Sequence, residues 1–199
     1  GGYMSIAITG GAGFLGSHVV EHLLLNTNEQ IYLIDKLDTA TFSFERVNRF
    51  RTFENRINLL ALDFTKPISE GVVELLSGVT CIIHLGAQTH VDTSITNPMA
   101  FVEANVVGTC NMLELARRLP YLQRFFYFST DEVFGPAPTG VNYKEWDRYN
   151  STNPYAATKA GGEELALAYA NTYGLPVTVT HCMNIFGERQ HFEKFIPLC

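Results

Sequence analysis

The chain has 199 residues, 46% hydrophobic and 17% charged, which is enough for one packed α/β core. A formal net charge of −6 and a pI near 5.5 exclude the basic face that a nucleic-acid surface needs. No apolar run reaches the length of a bilayer span, and residues 3–9 are too short for the core of a signal peptide, so no membrane contact and a cytoplasmic location are expected. Cys81, Cys110, Cys182 and Cys199 form no CxxC pair and the six histidines show no ligand spacing, which predicts reduced thiols and no metal.

Residues 4–9 read as a short apolar strand and residues 14–26 as a helix. Between them stand Gly10, Gly13 and Gly16, with Phe14 and Leu15 opening the helix. A tight strand-to-helix turn needs glycine where backbone must approach a pyrophosphate, and the helix N-terminus offers that anion its free N–H groups. A second strand, residues 30–34, ends at Asp35, where a carboxylate can bind the ribose hydroxyls of an adenosine. Its charge would repel a 2′-phosphate, so NAD is expected over NADP. The adjacent Lys36, also assigned to the cofactor site, weakens that repulsion.

Residues 39–55 predict an irregular helical insertion with Phe42, Phe44, Val47 and Phe50 on its apolar side, and residues 57–62 a third strand. Asp63 after it can face the adenine, with Phe64 beside it, or can simply shape the turn before Pro67; both readings stay open. A helix over 68–76 leads to a continuously apolar strand over 80–85, as a parallel sheet buried on both faces requires. It delivers Leu85, Gly86, Ala87 and Thr89 to the cofactor. His90 and Ser94 behind them are candidate substrate contacts.

Asn97-Pro98 predicts the start of a long helix ending near Arg117-Arg118. Asn105 inside it is either a site residue or an ordinary solvated one. An aromatic strand, Phe125-Phe126-Tyr127-Phe128, ends in Ser129-Thr130-Asp131-Glu132, and a hydroxyl with two carboxylates at such a strand end is either part of a site or a polar turn in which Thr130 or Asp131 caps a helix. A proline-containing loop follows. Asn153-Pro154 then opens a helix to about residue 173 that carries Tyr155 and Lys159 four apart, on one face. Residues 177–180 are a last strand. The alternation predicts a doubly wound parallel sheet of Rossmann type, residues 1–180, with residues 181–199 beginning a further region.

A phenol is a weak base at neutral pH, its ordinary pKa being near 10. A neighbouring ammonium, that of Lys159, together with the positive charge of the nicotinamide, is expected to lower it and let Tyr155 take a proton from a sugar hydroxyl. Thr130 completes that relay.

Thr9 to Gly16, Asp35, Tyr155 and Lys159 resemble the extended short-chain dehydrogenase/reductase family. Within it, Ala87-Gln88-Thr89-His90-Val91-Asp92, Ser129-Thr130-Asp131-Glu132-Val133-Phe134-Gly135 and Glu193-Lys194-Phe195-Ile196-Pro197 resemble the nucleotide-sugar 4,6-dehydratases of the dTDP-glucose type. The resemblance implies a lyase that uses NAD on a dTDP- or UDP-glucose: oxidation at C4, loss of water across C5–C6, and hydride return to C6. It implies Tyr155, Lys159 and Thr130 at the C4 oxidation, Glu132 as the base at C5 and Asp131 as the acid at the C6 hydroxyl. Asn184, Glu193 and Lys194 are implied as substrate contacts, and a homodimer is carried as the assembly. His181, Ile185 and Glu188 depart from the residues usual there. Such enzymes continue into a smaller nucleotide-gripping domain, so the chain reads as the cofactor half of a longer protein. A family epimerase, reductase or decarboxylase is the alternative enzyme, although C4 inversion needs no acid–base pair at C5–C6. A non-catalytic NAD-binding module is the alternative of another class.

Overall fold

The computed structural model describes residues 4–37 and 43–190; Phe42, Glu193, Lys194 and Cys199 lie outside the described residues, as does the side chain of Phe44. Six parallel strands form one sheet: β1 (Ser5–Thr9), β2 (Gln30–Asp35), β3 (Ile57–Ala61), β4 (Cys81–His84), β5 (Arg124–Thr130) and β6 (Val177–Cys182). Their order is β3-β2-β1-β4-β5-β6, so the winding direction reverses between β1 and β4 and opens a crevice at the carboxyl ends of those two strands.

Successive residues of β1 show why the sheet is doubly wound. Ala7 joins a core with Ile82, Met112, Phe125, Tyr127 and Ala166 on one face. Ile6 and Ile8 join Val20, Leu24, Ile31, Leu33 and Phe50 on the other. Side chains alternate across a strand, so a run without polar interruption is buried on both sides. Helix α1 (Phe14–Asn26) and the short α2 (Ser43–Asn48) belong to the second face, and α2 with the 3-10 turn Arg51–Phe53 is the irregular insertion expected there. Helix α3 (Glu70–Leu75) and the long α7 (Pro154–Tyr173) follow β3 and precede β6.

Two local features differ from the sequence expectation. Residues 91–96, to which the sequence pattern assigns no element, form helix α4 (Val91–Thr96). The long helix from Pro98 does begin with proline in its first turn, but it is not uniform: α5 (Pro98–Phe101) passes into a π-helical turn, Val102–Val107, before α6 (Gly108–Arg117). Asn105 lies in that turn. Its Oδ1 accepts from the Gln88 N–H at 2.8 Å, and its Nδ2 donates to the Gln88 carbonyl and to Thr158 Oγ1, both at 3.0 Å. Widened turns of this kind are rare and are kept where a side chain gains partners outside the helix. Asn105 is 1% exposed, so it is not a solvated residue.

Candidate active site

The glycine turn sits at the crevice. Gly10 has φ +67°, and a Cβ there would meet Gly86 Cα at 2.8 Å, so both the conformation and the approach of β1 to β4 require glycine. At Gly16 a Cβ would collide with the Gly10 carbonyl oxygen, which holds α1 tight against the turn. Helix α1 starts at Phe14 with no side-chain cap, leaving its N-terminal amides to other acceptors. Asp35 ends β2 beside this turn: its Oδ2 accepts from the Ala12 N–H at 3.1 Å and its Oδ1 from the Leu37 N–H at 2.9 Å. Lys36 is exposed next to it. Leu85 and Ala87 are half-buried at the end of β4, and Thr89 is exposed.

Other assigned residues lie differently. Asp63 is exposed, and its Oδ1 accepts from both the N–H and the hydroxyl of Thr65, at 3.0 and 2.7 Å, which is the turn reading. The Phe64 ring packs in the space where a Cβ at Gly86 or Gly108 would stand, and makes an edge contact with His84 at 5.4 Å. Its ring therefore supports the crevice floor from below. Ser94 is fully buried; its hydroxyl donates to the Val91 carbonyl and accepts from the Tyr155 N–H at 3.2 Å. His90 stands at the N-cap position of α4 and is half-buried, and Asn184 is exposed.

The end of β5 gathers the remaining candidates. Thr130 caps the 3-10 turn Asp131–Phe134: its hydroxyl accepts from the Glu132 N–H and donates to Asp131 Oδ1, both at 3.3 Å. Asn153 caps α7, its Oδ1 accepting from the Ala156 N–H at 2.8 Å, and its Nδ2 donates to Glu132 Oε2 at 3.1 Å. Tyr155, Thr130, Asp131 and Glu132 are thereby brought together. Asp131 and Glu132 open into a cleft of about 620 Å³ walled also by Phe134, Tyr143, Lys144 and His181.

The charges do not follow the expected pattern. Burial, then the negative charge of Glu132, pushes the Tyr155 phenol up to about 12, while a hydrogen bond with Thr130 pulls the other way. Lys159 is 5% exposed, and burial lowers its ammonium to about 8 despite the opposing charge of Glu163. Its Nζ lies over the Tyr127 ring, 4.4 Å from the centroid. In the protein alone the Tyr155 pKa is therefore raised rather than lowered, with desolvation and the charges of Glu132 and Asp131 dominant.

Several residues of the site went unread in the sequence. Glu163, one turn beyond Lys159, is 1% exposed; its carboxylate holds His181 Nε2 at 2.9 Å and bonds the Tyr149 hydroxyl. The i,i+4 spacing from Lys159 was the available signal. His84 is buried under the crevice. Thr9 Oγ1 accepts from the Gly86 N–H at 3.0 Å and meets His84 Nδ1 at 2.7 Å, and His84 Nε2 meets Thr109 Oγ1 at 3.1 Å. Because Thr109 donates onward to the Asn105 carbonyl at 2.7 Å, its oxygen must accept, which places the imidazole proton on Nε2. With the bonds of Asn105 to Thr158, and of Thr158 to the Tyr155 carbonyl at 2.8 Å, the crevice floor is tied to the start of α7.

Comparison with known proteins matches this arrangement. The sequence model of the GDP-mannose 4,6 dehydratase family matches residues 7–198. The dTDP-glucose 4,6-dehydratase of Salmonella typhimurium is 39% identical over 212 residues, covering 98% of the chain and 58% of that protein. DesIV of Streptomyces venezuelae, a dTDP-glucose 4,6-dehydratase solved with NAD and TYD bound, superposes with a TM-score of 0.88 at 35% identity, over 98% of the chain and 60% of its own. The UDP-glucose 4-epimerase of Thermus thermophilus, solved with NAD, gives a TM-score of 0.82 at 30% identity over 96% and 58%. The chain thus spans somewhat over half the length of these relatives.

Proposed function

The chain belongs to the GDP-mannose 4,6 dehydratase family, and from that premise we propose that it is the cofactor-binding and acid–base part of an NAD-dependent nucleoside-diphosphate-hexose 4,6-dehydratase. The observation that carries the reading is the Asp131–Glu132 pair at the end of β5, facing the cleft beside Tyr155. Inversion at C4 has no use for two carboxylates there, whereas elimination across C5–C6 needs both an acid and a base.

The crevice fits NAD. The glycine turn admits a phosphate against the uncapped N-terminus of α1. Asp35 offers its carboxylate to the adenosine ribose, and Lys159 its ammonium to the second ribose. When bound, NAD supplies a reversible store for the hydride that leaves C4 and returns at C6. The protein's own residues carry the protons. Tyr155 takes the proton of the C4 hydroxyl, with Thr130 bonded to the same oxygen. Once C4 is a ketone the C5 proton is acidified; Glu132 removes it and, after exchange with solvent, returns a proton to C5 as hydride adds at C6. Asp131 donates to the departing C6 hydroxyl, which leaves as water. Burial and the neighbouring carboxylates hold the Tyr155 phenol at about 12, and a bound oxidised nicotinamide would supply a positive charge that lowers it.

The preferred substrate is a dTDP-hexose, since the relatives at 35–39% identity are dTDP-glucose enzymes. A homodimer is part of the proposal, with Met99, Val107 and Leu167 among the exposed apolar side chains. Among the described residues no helix is long and apolar enough to cross a membrane. The test is the product made by the full-length protein from dTDP-glucose in deuterated water. A 4-keto-6-deoxy sugar carrying deuterium at C5 is expected; a C4 epimer formed without loss of water would refute the proposal.

A further inference from the structure

Asn153 makes two bonds that together leave its side chain one orientation. Its Oδ1 accepts from the Ala156 N–H at 2.8 Å, an N-cap of α7, and this acceptor role fixes which end is the amide nitrogen. The nitrogen then faces Glu132 Oε2 at 3.1 Å, and only a donor suits a carboxylate there. Among the good N-cap residues, Ser and Thr are shorter and Asp would set a second negative charge against Glu132. Asn alone caps the helix and donates to the carboxylate at once.

The surroundings make the orientation matter. Glu132 has a second tether at its backbone, where its N–H donates to Thr130 Oγ1 at 3.3 Å. Its carboxylate shares the cleft with Asp131, Lys144, Glu145 and His181, and its charge reaches Tyr155. Without a fixed donor, the side chain has Lys144 and His181 as competing attractions and Asp131 and Glu145 as repulsions. Asn153 stands two residues before Tyr155 on the same helix start, so the amide references Glu132 to the helix that carries Tyr155 and Lys159.

We propose that Asn153 is the positioning residue for Glu132, setting its carboxylate relative to the reacting sugar while it caps α7. This rests on the dehydratase reading for the role of Glu132.

Two measurements test it. In the chain as it stands, the side-chain amide pair of Asn153 in a proton–nitrogen spectrum should shift and lose exchange protection on Glu132→Gln, while the Ala156 amide stays in place because the cap persists. In the full-length protein, Asn153→Ser keeps a capping hydroxyl but loses the donor. It should form enzyme-bound NADH from dTDP-glucose as wild type does, yet wash solvent deuterium into C5 about 10–100-fold more slowly, the scale of a small misplacement of a catalytic group. Asn153→Asp, an equally good cap, should be slower still, and Asn153→Gly should match Asn153→Ser in the deuterium assay if the cap is not the cause. An unmoved Asn153 amide pair in Glu132→Gln, with wild-type protein active, overturns this inference alone. So does an equal loss of NADH formation and deuterium exchange in Asn153→Ser, which would mark a purely structural cap. Wild-type protein that forms neither bound NADH nor exchanged sugar overturns the dehydratase reading, and the proposed role falls with it.

Discussion

The Lys159 ammonium rests 4.4 Å from the centre of the Tyr127 ring, and the Tyr127 hydroxyl donates at 2.9 Å to the backbone carbonyl of that same lysine. The strand that ends in Thr130 therefore holds α7 at both the charge and the main chain of one residue. A cation over an aromatic face is favourable, but the interaction does not replace full hydration. Burial accordingly lowers Lys159 to about 8 from 10.5. Tyr127 itself is raised by burial and stays a neutral donor.

Stability should therefore gain from Lys159 as pH rises from about 8 to 10.5. In that window the unfolded chain keeps the lysine proton and the folded one releases it, so the folded state is favoured by deprotonation. Below about 8 both states are charged and the folded one carries the full cost of the buried ammonium. Denaturant midpoints of wild type and Lys159→Met, compared across this window, should converge toward alkaline pH. A constant difference would mean that the lysine is not charged and buried.

His84 governs the acid side. Burial, and then the Lys159 charge, lowers it to about 3 from 6.5. Between those values the unfolded chain binds a proton that the folded chain refuses, so stability falls as pH drops from 6.5 toward 3. His84→Leu removes this dependence but leaves Thr9 and Thr109 without their partner, at about 1–3 kcal/mol near neutrality. The gap between wild type and variant in thermal unfolding should narrow steadily below pH 6.5. A gap that stays constant or widens would contradict the neutral, Nε2-protonated imidazole.

Asp35 is expected to set the cofactor preference. Calorimetry should give tighter binding of NAD than of NADP by wild type, because a 2′-phosphate would approach the Asp35 carboxylate. Asp35→Ala should bring the two affinities together and weaken NAD. Its carboxylate also accepts from the Ala12 N–H, so the variant should bind both cofactors less tightly than wild type binds NAD. Preference for NADP in wild type would rule the assignment out.

Glu132→Gln in the full-length protein should keep C4 oxidation and stop elimination, since the residue has no task until the ketone exists. Loss of a general base costs about 10²–10⁴ in rate. Bound NADH should accumulate while deuterium at C5 disappears. Dehydration at near the wild-type rate would assign the base elsewhere, with Asp131 the first candidate to examine.

The 199-residue chain by itself should bind NAD yet turn over dTDP-glucose poorly. The glycine turn, Asp35, Tyr155 and Lys159 all lie within it, whereas it spans 58% of the length of its Salmonella relative. Binding energy from remote parts of a substrate positions the reacting centre, so a partial grip lowers turnover as well as affinity. An absorbance assay for the 4-keto sugar, beside calorimetry with NAD, checks both halves. Rapid dehydration by this chain would show that the sugar site is complete without further residues.

Much of the fold could be read from local pattern. The glycines at 10, 13 and 16, the apolar strands and the proline at the start of α7 each act within a few residues, through steric limits that sequence spacing expresses directly. The spacing of Tyr155 and Lys159 likewise fixes that they share a helix face. What spacing could not fix is the environment that face meets. Asp63 could shape a turn or touch a cofactor, and only the fold shows that its carboxylate does bond Thr65 within the turn. Ser94 looked like a substrate contact, but packing puts it under the N-terminus of α7. The basicity of Tyr155 depended on whether ammonium or carboxylate stood nearer and on how much water remained. Covalent geometry determines periodicity along the chain. Desolvation and long-range partners such as Asn153 and Glu132, or Lys159 and Tyr127, are set only when α7 lies across β5, because burial is a property of the packed molecule and of no single segment.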